Sequence, residues 1–467
     1  MQVVPYKKEG YQLLHDGVIC FSEMHQHGIH IDSKHLKGEY KRLKKEISNL
    51  SKLLESHEEV KIWKRKYKDN FSFESDVQLS DILFKELHYE PTKFTKTGNP
   101  SVDKEALSAL HSSFTDRLLK LRFYSKIQNT YLKSLIEETC NGYIHPFLNL
   151  QTARTYRSSG SFPNVQNQPI RDAEAGEIIR KAFIPREGRL LVGVDYGGIE
   201  VKTAALYHQD PTMLGYLRNP EEADMHADFA CLIFKLDDLD TNNSGENKLR
   251  KATKNSFTFP QFYGDYYKNN ATGFWEWLQF SGKKIKRNEG PVIRNDITIG
   301  QHLINKGVKN FNQFVEHIKK VEHDMWNKRF PVYSKWKDKH YKEYLKNRFV
   351  TILSGFVCQG AMGKNDVINY PIQGLAFHCL LWSCIRLNKL LKKYKMKTKL
   401  IFQIHDEIVA DVVPEELDDY LELLKQVMVE DLKTHWDFIN VPLEIEVKKS
   451  EVDGNWFNME KTMTYIN

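Results

Sequence analysis

Two short apolar runs in this chain end on carboxylates, and that pairing limits what the chain can fold into. Residues 190–194 (LLVGV) lead into Asp195. Residues 400–404 (LIFQI) lead through His405 to Asp406 and Glu407, after which the apolar run resumes at 408–413. Runs of this length bounded by polar residues read as buried strands, the second pair as a hairpin with its acids at a tight turn. A carboxylate at the end of a buried strand is costly unless it is paired or metal-bound. If the two strands lie side by side, Asp195 and Asp406 face each other, and their repulsion requires a divalent cation between them. Oxygen ligands with open positions suit Mg²⁺. Two such ions about 3.5–4 Å apart could activate a hydroxyl and stabilise a leaving phosphate. A single Asp after a strand is more often a turn residue or a surface ion pair, but that reading does not account for both sites in one chain.

A second pattern lies at 249–264 (LRKATKNSFTFPQFYG). Arg250 and Lys254 are four residues apart, on one face of a helix, where both can grip a triphosphate; Phe259 and Tyr263 repeat the spacing and can stack on a base. Each pair alone fits a solvated face or a core contact; their order along one helix favours a nucleotide site. Elsewhere, 10–31 reads as a helix ending near Gly28, and 34–68 as one long amphipathic helix rich in Lys and Glu. The segment 92–101 reads as a loop, 104–138 as helical, 201–348 as mostly helical with a polar loop at 283–296, and 442–447 as a strand. The polar stretch 151–169 (QTARTYRSSGSFPNVQNQP) carries many groups suited to base edges and sugars.

With 467 residues the chain is too long for one ordinary core, and its net charge of +7 fits a polyanionic partner. Six scattered cysteines without a CxxC pair argue against a disulfide framework or a structural zinc, and read as reduced thiols of a cytoplasmic protein. No signal peptide or membrane span is legible, which predicts no membrane partner.

These segments resemble family A DNA polymerases. VDYGGIEVK is similar to the family's first motif, usually DYSQIELR; RKATKNSFTFPQFYG to the second; QIHDEIV to the third, QVHDELV. Weaker similarities extend nearly end to end, through TYRSSGSFPNVQNQP, ADMHADFA, NYPIQG and VPLEIEV with Asn455-Trp456, and back to EMHQHGIHID. The resemblance implies an α+β right-hand polymerase fold, with an antiparallel palm sheet and mostly helical fingers and thumb. The palm would take 1–33, 136–210 (first motif) and 346–467 (third motif), the thumb 34–135 and the fingers 211–345. It implies two Mg²⁺ ions, with Mn²⁺ as a substitute, held by Asp195, Asp406 and the Tyr196 carbonyl, with Glu407 as an accessory carboxylate. Arg250, Lys254 and His226 would hold the triphosphate, Lys254 also acting in catalysis. Phe259 and Tyr263 would shape the base pocket, and Glu200 would exclude a 2′-hydroxyl. Arg157, Asn167, Asn369, Gln373, Gln403 and His405 would follow the minor groove and the primer terminus. The implied activity is template-directed addition of deoxynucleoside triphosphates to a primer on primer-template DNA, by a monomer. A helicase, a single-strand binding protein and a separate exonuclease are implied as further partners. The alternatives are a single-subunit RNA polymerase, which Glu200 disfavours, and an inactive DNA-binding subunit.

The chain departs from the family pattern. Gly197-Gly198 replaces the usual Ser-Gln, and Lys202 the usual Arg. One extra residue lies between Lys254 and Phe259. Counted back from Tyr263, Phe259 takes the aromatic position; counted forward from Lys254, Thr258 does; Phe259 is the reading taken. An insertion turns a straight helix by about 100°. A π-bulge could absorb it, and Pro260, which removes a helical donor, would help bend the helix there, so an irregular helix is expected. Because the resemblance starts almost at Met1, no proofreading exonuclease is expected in this chain.

Overall fold

The computed structural model describes residues 2–95, 97–169, 172–220 and 223–466, with only the main chain at 2–5. Its centre is a five-stranded antiparallel sheet, ordered Lys399–Ile404, Glu407–Val412, Leu190–Tyr196, Glu444–Lys449 and Glu460–Ile466. Leu190–Tyr196 is central, and both its faces are covered, which is why it reads as a continuous apolar run. Leu190, Val192, Val194 and Tyr196 face the largest core, shared with the helix Lys364–Lys393. Leu191 faces a second core with Phe183, Phe402, Val409 and Trp456. Asp195 shares that second face, two residues on from Gly193.

The 30-residue helix Lys364–Lys393 passes behind the sheet with Pro371 inside it. Pro371 cannot bond the carbonyl four residues earlier; His340 reaches that Val367 carbonyl instead. The Tyr207 hydroxyl donates to the Pro371 carbonyl at 3.2 Å and the Thr203 hydroxyl to the Ile372 carbonyl at 3.3 Å, which ties the helix Ile199–His208 to it.

The helical lobe at 33–138 has its own outer core, around Leu54, Trp63, Leu79, Phe114 and Leu118. The single long helix expected at 34–68 is two helices, Ser33–Glu55 and Glu58–Tyr67. The break falls at His57, which is extended (φ −75°, ψ 141°) and whose Nε2 lies 2.7 Å from Arg117 Nη1. That bend turns Val60 and Trp63 into the outer core, which a straight helix could not do.

In the second helical lobe the expected irregularity is present. Ser244–Thr253 is α-helical, Lys254–Thr258 is a π turn, and Phe259–Phe262 resumes the α-helix with Pro260 in its first turn. π segments also occur elsewhere, as at Gln426–Asp431, so the turn is not unique to this site. The polar loop expected at 283–296 holds a small hairpin, Val292–Ile293 with Ile297–Thr298. It is clamped to the π-bearing helix by Arg294 Nε on the buried Glu246 carboxylate, 2.7 Å. A Cβ on Gly245 would sit 1.7 Å from the Val292 carbonyl oxygen, so only glycine lets the loop approach this closely.

Gly28 ends the first helix, Lys8–His27, as expected. The strand expected at 442–447 runs instead at Glu444–Lys449. The strand Glu460–Ile466 and the three-stranded sheet of Gln2–Pro5, Phe356–Gln359 and Phe349–Ile352 were not anticipated. The six cysteines are free thiols. Among the described residues no helix is long and apolar enough to cross a membrane.

Candidate active site

The hairpin expected around Asp406 is present, with Ile404 opposite Glu407 and His405 in the left-handed region (φ 51°). Its register changes one expectation. Glu407, not Asp406, lies directly opposite Asp195, and Asp406 sits one step earlier in the turn. A turn residue cannot be a ladder partner, so Asp406 approaches Asp195 from the strand end rather than across it. On the other side Glu446 pairs with Asp195 and Lys448 with Gly193. One sheet face therefore carries Asp195, Glu407, Glu446 and Lys448 around a residue without a side chain. The Glu407 carboxylate occupies that gap: a Cβ on Gly193 would lie 2.3 Å from Glu407 Oε1.

Asp195, Asp406 and Glu407 line a cavity of about 370 Å³ with Arg180, His405, Lys448, Trp456, Phe457 and Met459. Burial, then repulsion from Asp406 and Glu407, pushes the Asp195 carboxyl up to about 7. Burial also raises Asp406 and Glu407 above their ordinary values. Asp406 Oδ1 is buried without a hydrogen-bond partner. An all-oxygen set that resists ionisation and holds an orphaned oxygen fits a divalent cation. Among the described residues no three ligating side chains converge on one point. Two Asp side chains and a main-chain carbonyl would leave the remaining positions to water and phosphate, as Mg²⁺ prefers. The Tyr196 side chain turns away, its hydroxyl within 3.0 Å of Ser383 Oγ and donating to the Met428 carbonyl at 2.9 Å, so only its main chain is available at the cleft.

Beside this cleft is a narrow crevice lined by Glu200, Phe259, Phe262, Tyr263, Tyr333 and Asn369. Phe259 lies in it, whereas Thr258 is fully buried, so the π turn gives the aromatic position to Phe259. Asn369 Nδ2 donates to the Tyr263 carbonyl at 3.2 Å. The cations expected on the helix gather here. Lys254 Nζ lies 5.2 Å from the Phe259 ring centroid, and His226 meets the same ring edge-on at 5.5 Å. Burial holds His226 down to about 4, so it is neutral at pH 7. Arg250 is ion-paired with Asp224 rather than free. Arg157 joins the two halves: its Nη2 pairs with Glu200 and lies 3.9 Å from Asp406 Oδ1.

Of the residues expected along the minor groove, Asn167 and His405 are exposed and Arg157, Asn369 and Gln373 are partly exposed. Gln403 is not available to DNA. It is fully buried, and its Oε1 accepts from Ser158 Oγ at 2.5 Å and Gln166 Nε2 at 3.1 Å, while its amide donates to the His405 carbonyl. It braces the turn that carries Asp406. The departures at the first motif also have a cause. A Cβ on Gly197 would lie 2.9 Å from the Glu444 carboxyl carbon, and Lys202 Nζ lies 3.6 Å from the same carboxylate. Arg180, stacked 3.7 Å from the Trp456 ring centroid, and Lys448 were missed. Neither lies in an acidic or glycine-rich pattern; the sheet register brings Lys448 to the carboxylates, and Arg180 reaches them from the end of the helix Ala173–Arg180.

Residues 39–284 and 300–457 match the model of DNA polymerase family A. The gap between the two stretches falls on the clamped loop and its hairpin. Among curated proteins, DNA polymerase I of Lactococcus lactis subsp. cremoris is 31% identical over 386 residues, covering 81% of this chain and 39% of that protein. DNA polymerase I of Caldicellulosiruptor bescii is 29% identical over 392 residues, covering 83% and 41%. The chain thus spans about two fifths of the length of these relatives. Among solved structures, the POL domain of Pol1 from M. smegmatis, in complex with DNA primer-template and dNTP, superposes with a TM-score of 0.72. That match has 22% identity and covers 95% of this chain and 70% of that one. The fold is the right-hand α+β fold of a polymerase domain.

Proposed function

The chain belongs to DNA polymerase family A, and on that premise we propose that it adds deoxynucleotides to a primer 3′-hydroxyl, directed by a DNA template. The observation that carries this reading is Arg157, whose guanidinium lies against both Glu200 and Asp406 and so makes the crevice and the carboxylate cleft one continuous site. Asp195, Asp406 and the Tyr196 carbonyl would hold two Mg²⁺ ions, or Mn²⁺ in their place, with Glu407 beside them. When bound, such ions supply an activated hydroxyl and charge neutralisation at the phosphates. Arg250 and Lys254 grip the triphosphate, and neutral His226 donates an N–H to it. Phe259 and Tyr263 form the base pocket. Glu200, half-buried and held by Arg157, would stand where a ribose 2′-hydroxyl would go. Arg157, Asn167, Asn369, Gln373 and His405 follow the minor groove, whose acceptors are nearly the same for every pair, so they test pairing geometry without reading sequence. The palm, fingers and thumb assignments given above follow from the same reading. So do a cytoplasmic monomer and a replicative setting with a helicase and a single-strand binding protein as partners.

Primer extension on a primed single strand, with Mg²⁺ and deoxy- or ribonucleotides in turn, tests the proposal. The wild type should extend with deoxynucleotides only and should leave a mismatched, labelled 3′ end unexcised. Asp406→Asn should lose several kcal/mol of transition-state stabilisation, on the order of 10³-fold in rate. Extension with ribonucleotides would transfer the reading to RNA synthesis. DNA binding without any extension would make the chain an inactive subunit.

A further inference from the structure

We propose that Asp224 is the positioning residue of the triphosphate cradle, a single carboxylate that sets both His226 and Arg250. This deepens the polymerase reading and rests on it. Asp224 stands immediately before the ten-residue helix Met225–Phe234, and its Oδ1 accepts from the main-chain N–H of His226 at 2.9 Å and of Ala227 at 3.1 Å. Those bonds fix the first turn of the helix and hence the direction in which His226 leaves it. The other oxygen, Oδ2, accepts from Arg250 Nε. The choice of nitrogen matters. A guanidinium has five N–H donors, and a carboxylate on Nε leaves the donors of the far amino group free to fork onto a phosphate. Asp224 thus links Arg250 to His226, and His226 in turn meets the edge of Phe259, whose ring lies under Lys254, so that these residues form one contiguous cluster.

A carboxylate is otherwise out of place beside a triphosphate, because its charge repels the ligand. Helix capping alone does not explain it, since Asn caps a helix N-terminus about as well as Asp. Only the carboxylate can pair with Arg250. Asp224→Asn therefore keeps the cap and removes the pairing. If Asp224 positions Arg250, the substitution weakens triphosphate binding; if it acts only through its charge, the substitution strengthens it.

The experiment compares the full-length wild type, Asp224→Asn, Arg250→Ala and the double variant in single-nucleotide incorporation, with primer-template affinity and Tm measured on each. The expected result is a KM for the deoxynucleotide raised about tenfold in Asp224→Asn, the scale of one charge-assisted contact, with kcat, primer-template affinity and Tm close to wild type. Once Arg250 is Ala, Asp224→Asn should have no further effect. An unchanged or lowered KM in Asp224→Asn, or losses that add in the double variant, overturns the assignment. Calorimetric binding of tripolyphosphate to the same four proteins keeps it separate from the polymerase reading. If the wild type extends no primer, that reading falls, yet weaker tripolyphosphate binding by Asp224→Asn still upholds the positioning role, and equal binding ends it.

Discussion

Gly193 lacks a side chain because Glu407 occupies the place one would take. The nearest atoms its Cβ would meet are the ends of the flexible Glu407 and Met459 side chains, at 2.3 and 2.8 Å, which can turn aside without disturbing the sheet. Gly193→Ala should therefore leave Tm within a few degrees of wild type while displacing Glu407. Primer extension should fall at least about tenfold if that carboxylate assists at the primer end, and wild-type activity would remove Glu407 from the chemistry. Lys337 gives a pH-dependent case away from the carboxylates. Its Nζ lies 3.0 Å from the Trp326 ring centroid; burial first, then repulsion from Lys364, lowers it from 10.5 to about 7, against the attraction of Asp338 and Glu322. Between those values the unfolded chain binds the extra proton, so this lysine's contribution to stability rises with pH from about 7 to 10.5 and is lost as pH falls through 7. Lys337→Met, which keeps the stem on Trp326, should melt higher than wild type at pH 6, and its advantage should vanish by about pH 10. Equal melting at both pH values would show that the lysine is not held neutral.

At the scale of elements, the π turn Lys254–Thr258 keeps an inserted residue from rotating the site. A π turn places residues five apart much as an α-helix places residues four apart, and Lys254 accordingly lies over Phe259. Deleting Asn255, which is exposed, should close the turn to ordinary helix and leave the KM for deoxynucleotide within a few-fold of wild type. Deleting both Asn255 and Ser256 should rotate Phe259 by about 100° relative to Lys254 and abolish incorporation. If the single deletion is as damaging as the double, the turn has a use beyond absorbing the insertion. The extra residue and Pro260 made an irregular helix foreseeable. The break at His57 was not, because the Lys- and Glu-rich pattern runs through it unaltered; the helix bends there only because Trp63 has a separate core to enter.

At the scale of the molecule, a net charge of +7 predicts binding governed by phosphate contacts. If about six phosphates are neutralised, primer-template affinity should fall roughly 10³-fold between 50 and 200 mM salt; a flat salt dependence in a filter or anisotropy assay would rule out that mode. The apolar runs ending at Asp195 and Asp406, and the cations and aromatics of 249–264, were legible because each is a local pattern with a period. They sufficed for the hairpin and for the central strand that pairs with it. The approach of Asp406 from the turn, the place of Glu407 over Gly193, and the arrival of Lys448 were decided by the register of strands more than 200 residues apart; Arg180 arrives from the end of the helix Ala173–Arg180. The burial of Gln403 rests on Ser158, 245 residues away, and the joining of His226 to Arg250 through Asp224 on an ion pair between two helices, its residues 26 apart. A sequence records which side chains can bury or ionise. Which of them meet depends on how distant segments are packed together, and no local periodicity encodes that.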